Sequence, residues 1–180
     1  MKRAKQKPKS EPTIYDFINA AVLDQPVAAR MIAEDRTWLT RTTGAEETAL
    51  AYLVVENYVA GVAFLIERGA DVNTVDGLGA TPLMFAAQLG YRDMVSLLLQ
   101  HGARVNEIDA IDQTALTKAV EHGRVEISDM LLGAGADPFL AGSVYDDIMP
   151  RKRSQILDIF GKHGFREPAP EGWGDEGGET

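Results

Sequence analysis

Cysteine is absent from the 180-residue chain. That excludes disulfides, thiolate nucleophiles, cysteine-ligated zinc and iron–sulfur clusters. It fits a reducing compartment, so the expected location is cytoplasmic, or nuclear if the source is eukaryotic. Histidine is scarce, with three residues, and aromatics make up 7%. Long apolar runs are missing as well. The best, residues 59–66, falls far short of the roughly 18 residues a membrane helix needs, and no membrane association is expected. The N-terminus is basic but no apolar stretch follows it, unlike a secretory signal. No phosphate-binding glycine motif is present either, because Gly77-x-Gly79 follows no strand–helix–strand pattern.

Positive charge is in deficit. The formal net charge is -9, with 27 acidic residues against 18 basic ones. This disfavours duplex-DNA binding, which needs clustered Lys and Arg. Residues 1–12 nevertheless balance to +4 and residues 165–180 to -4. Both ends are poor in apolar residues and are expected to be disordered tails. Between them the composition is ordinary for a globular protein: 45% of the whole chain is hydrophobic and 25% charged.

A period of 33 residues runs through the middle. Thr48-Ala49-Leu50, Thr81-Pro82-Leu83 and Thr114-Ala115-Leu116 repeat at that step, as do Gly69-Ala70, Gly102-Ala103 and Gly135-Ala136. Leu65, Leu98 and Leu131 keep the apolar register, and Asn57 stands where Gly90 and Gly123 stand later. Each copy reads as a turn followed by two short helices. The Thr hydroxyl caps the first helix, and Pro82 at its first position has no N–H to orphan. Ala86 and Ala87 allow close helix approach. Gly90 reverses the chain, and Gly102 ends the second helix in an expected left-handed conformation. One such unit cannot cover its apolar face, so copies must stack.

In these residues the chain resembles the ankyrin-repeat family. The middle copy carries the resemblance best, with Asp76, Gly79, Thr81-Pro82-Leu83, Ala86-Ala87, Gly90, Leu98-Leu99 and Gly102-Ala103. The resemblance implies an all-α solenoid of stacked helix–turn–helix units with β-turn fingers. Three full repeats are expected at 43–75, 76–108 and 109–141. They are flanked by a cap at 13–42, with helices over 15–23 and 26–33, and a cap at 142–164, with helices over 144–148 and 154–160. The family's His after Thr-Pro-Leu is replaced by Ala51, Met84 and Thr117, which predicts weaker coupling between repeats.

Candidate chemistry is sparse. Asp109, Asp112 and His122 are the only set that would serve a small hydrolase, and Asp109 and Asp112 read more simply as turn residues. His101 and His163 each precede a helix-ending glycine, where His favours the negative helix end. No catalytic residue, cofactor or metal site is expected. The run Arg151-Lys152-Arg153 reads as a charged outer face. The basic tail raises the alternative of a nucleic-acid-associated regulator.

The main expectation, implied by the resemblance, is a non-enzymatic protein-binding module acting as an adaptor or as an inhibitor of immunity type. It would be a monomer gripping a partner in a concave groove. The positions implied are Val55 and Glu56 in the first copy, and Val75, Leu78, Gln88 and Leu89 in the second. In the third they are Ile108, Ile111, Gln113, Glu121 and His122. Val75, Leu78, Leu89, Ile108 and Ile111 are apolar where that architecture exposes them. Asp76, Asp109, Asp112, Glu121 and Glu56 would rim them, favouring a partner with a basic rim.

Overall fold

In the computed structural model, residues 11–140 and 152–165 are described. Residues 1–10 of the tail expected over 1–12, residues 166–180 of the tail expected over 165–180, and the expected helix over 144–148 lie outside those residues. Helices make up the regular structure; among the described residues the only β pairing is an isolated antiparallel bridge between Thr42 and Thr48. The chain divides into two compact units, the first ending at Pro82 and the second starting at Leu83.

The first unit opens with α1 (Ile14–Leu23) and α2 (Gln25–Glu34), followed by a 3-10 turn at Arg36–Leu39. Thr13 and Asp16 form a reciprocal capping box that satisfies two amides at the start of α1. Asp24 closes α1 and then caps α2 through the amide of Val27. Two helices follow, α3 (Ala49–Val55) and α4 (Val59–Glu67). The core gathers Phe17, Ala21, Ala28, Leu50, Leu53, Val62 and Leu65, all 1% exposed or less. Phe17 stacks on Trp38 at 5.6 Å, and the Arg41 guanidinium covers the other aromatic at 3.9 Å. Gly61 permits this packing, since a Cβ there would sit 3.0 Å from the Leu53 side chain. Arg36 donates to the carbonyl of Arg68 and so ties the cap to the end of α4.

The second unit carries α5 (Pro82–Leu89), α6 (Arg92–Gln100), α7 (Ala115–Glu121), α8 (Val125–Gly133) and α9 (Arg153–Lys162). Helices α3, α5 and α7 begin 33 residues apart, and so do α4, α6 and α8. Thr48 and Thr114 cap α3 and α7 through their hydroxyls. Ala86, Ala87, Met94, Val95 and Leu98 form one part of this core, and Ala119, Leu131, Ile156 and Phe160 another. The last helix, α9, is tied to α8 by Asp129, whose carboxylate meets His163 Nε2 at 2.7 Å and Lys162 Nζ at 2.9 Å. Hydrogen bonds from His163 and then Lys162 hold the Asp129 carboxyl below its ordinary pKa. His163 therefore does more than close its helix. Gly102 adopts the left-handed conformation expected, with φ of 81°.

Candidate functional site

A five-residue turn precedes the first helix of each copy, built the same way three times. In the second copy the Asp76 carboxylate accepts from the amides of Leu78 and Ala80, both at 2.9 Å. The backbone closes the turn from Asp76 N to Ala80 O and from Gly79 N to Asp76 O. In the third copy Asp109 accepts from Ile111 N at 3.1 Å and Gln113 N at 2.9 Å. In the first, the hydroxyl of Thr43 takes the part of the carboxylate, accepting from Ala45 N. The fourth residue of each turn is left-handed: Glu46, Gly79 and Asp112, with φ of 62°, 76° and 57°.

These turns, the residues just before them and the end of α5 put apolar side chains into solvent. In the first unit Val75 is 54% and Leu78 68% exposed; in the second, Ile108 is 41%, Ile111 69% and Leu89 39% exposed. Glu56, Asp112, Glu121 and His122 are exposed as well. Val55, Gln88 and Gln113 are half-buried.

Asp109 departs from the expected acidic rim. Its carboxylate is buried and paired with Lys118 Nζ at 2.8 Å, the two side chains being 4% and 9% exposed. Lys118 Nζ also donates to Gln113 Oε1 at 2.8 Å, and Gln113 Nε2 donates to Glu121 Oε2 at 3.1 Å. A chain of four polar side chains thus locks the turn to α7, and Gln113 serves inside it. Burial tends to raise the Asp109 carboxyl, but the Lys118 hydrogen bond and the two turn amides outweigh it and hold the pKa below the usual value. The equivalent positions to Lys118 in the earlier copies are Tyr52 and Phe85.

The structure does not join the side chains of the acid–base trio into one hydrogen-bonded set. Asp109 is fully engaged by Lys118 and its own turn, while His122 Nδ1 lies 3.0 Å from the carbonyl of Lys118. The backbone amide of Asp112 donates to the carbonyl of Asp109 within the turn, but no side-chain hydrogen bond joins Asp109, Asp112 and His122 to one another. Among the described residues, no group of three or more His, Asp or Glu side chains is placed to hold a metal ion. No helix among them is long and apolar enough to cross a membrane.

With the triple turn–helix–helix register in view, comparison with protein families is decisive: a model described as ankyrin repeats, in three copies, matches residues 50–141. The chain belongs to the ankyrin-repeat family. Membership makes it a protein-interaction module. A search of curated proteins finds no match. The missing family His of these ankyrin repeats has local substitutes. In the first repeat the Thr48 hydroxyl reaches the Thr74 hydroxyl at 3.3 Å. In the third, Thr117 at the vacated position closes a capping box with Thr114.

Proposed function

We propose that this ankyrin-repeat chain is a non-enzymatic binding module, an adaptor or an inhibitor, that grips a partner protein through its turn and first-helix residues. Five exposed apolar side chains carry the proposal: Val75 and Leu78 in the first unit and Ile108 and Ile111 in the second, on or beside the hydrogen-bonded turns, with Leu89 at the end of α5. Exposed apolar groups on preordered turns lose little entropy when a partner covers them. In the second unit Glu121, Asp112 and His122 flank them, and in the first unit Glu56 adds to the set. The acidic flank selects a partner whose apolar contact is edged with Lys or Arg. The protein acts as a monomer, and the turns work as the recognition fingers of the family.

The test is retrieval of interacting proteins from native lysate by the parent and by a Leu78→Arg, Leu89→Glu, Ile111→Arg variant, with folding of both checked by circular dichroism. A partner held by the parent should be lost by the variant, and its retention should fall as salt is raised. Equal recovery by both proteins ends the assignment of this surface.

A further inference from the structure

A second feature of the second unit lies outside the turns. A cleft of about 630 Å³ is bounded by the α5–α6 and α7–α8 connections and by α9. That volume suits a small organic molecule. No residue of the 109–114 turn lines it.

The lining is unusual for so acidic a chain. Arg92, Arg124 and Lys152 contribute three cationic groups against two acidic ones, Glu126 and Asp158. Lys152 belongs to the run expected to be a free outer face; it instead lines this cleft, half-buried. Arg124 is the central group. Tyr58 and Tyr91 occupy its position in the earlier repeats. Its Nε donates to the carbonyl of Gln88 at 3.1 Å, and its guanidinium lies flat on Gly90, where a Cβ would come within 2.9 Å of Cζ. The side chain is therefore held in place without a carboxylate partner among the described residues. Glu126, by contrast, is engaged with Arg92 at 3.5 Å.

Two further properties of the lining point the same way. Val125, Glu126 and Ile127 form the first turn of α8, whose amides have no acceptor within the helix, and Arg124 gives no side-chain cap. These donors and the helix dipole favour negative charge. Ile127 and Ile159 supply apolar wall. A fixed guanidinium, a lysine and open amides beside aliphatic side chains suit a ligand with one charged and one greasy end.

We propose that this cleft binds a small organic oxyanion, a phosphomonoester or carboxylate attached to an apolar body, with Arg124 as its principal contact. Asp158 opposes that charge and tunes the affinity downward.

The proposal is tested on the full chain by nuclear magnetic resonance titration with phenyl phosphate, benzoate and neutral benzyl alcohol at low salt. Phenyl phosphate or benzoate should shift the amides of Val125, Glu126 and Ile127, and the better of the two identifies the headgroup. Arg124→Gln should weaken binding by about tenfold. Asp158→Asn should tighten it several-fold, a gain that no unfolding artefact can mimic. Absence of shifts at those amides with either anion overturns the proposal. So does benzyl alcohol binding as well as the anions, or an affinity unchanged in both variants.

Discussion

The turns at Asp76 and Asp109 have the same backbone hydrogen bonds, the same carboxylate cradle and the same left-handed fourth residue. They differ in what lies behind the carboxylate. Asp76 serves its turn while partly open to water, whereas Asp109 is buried and spends its second oxygen on Lys118. A turn stabilised only by its own amides is a local device. One that shares a buried ion pair with a helix is fixed to that helix, and it fails if either partner is lost. Identical local sequence logic thus yields two turns of different rigidity.

Removing the partner breaks this contrast most sharply. Lys118→Phe copies the second repeat's residue but strands a buried carboxylate, and should cost about 3 kcal/mol in urea denaturation at neutral pH. Adding Asp109→Asn should recover a large part of that loss. A Lys118→Phe loss no bigger than that of Asp76→Ala would mean the ion pair does not distinguish the turns. The pH dependence gives an independent reading. The folded Asp109 pKa is depressed. Its stabilisation is thus complete above about pH 4, the range of an unfolded carboxylate, and is lost as pH falls through the lower folded value. In Lys118→Phe only the two turn amides remain to oppose burial, so that pKa rises from the parent's value and the variant's deficit should shrink as pH is lowered toward 4. A deficit constant across that window would contradict the pairing.

Asp76→Ala removes the acceptor for two amides of a half-open turn, and should cost about 1.5 kcal/mol by the same measurement. The smallest effect comes from exchanging the fourth residues. Asp112→Gly should stabilise by up to about 1 kcal/mol, and Gly79→Asp should destabilise by a similar amount, since only glycine adopts that backbone freely. If both exchanges leave the midpoint unchanged, the left-handed position carries no strain in either turn.

The period was legible because it is written in residues with narrow backbone tasks. Thr48, Thr81 and Thr114 head helices, and Gly69, Gly102 and Gly135 end them. Asn57 replaces glycine because it tolerates the same left-handed conformation, with φ of 59°. The five exposed apolar residues were legible by their place in the repeat. Lys118 was not, since a lysine between apolar residues on a helix reads as a solvated side chain; only its alignment with Tyr52 and Phe85 hints at burial. The bond from His163 to Asp129 spans 34 residues and leaves no local pattern. The same holds for the cleft around Arg124, which requires α9 to return beside α8.

The left-handed turn residues have one more consequence. Gly79 demonstrates that glycine serves at this point, yet Glu46 and Asp112 hold it with a carboxylate in a backbone state that side chains disfavour. Both tips thus carry negative charge at some cost in thermal margin. Writing glycine into both would make a hardier molecule and, on the function proposed above, a poorer binder, a trade between durability and choice of company.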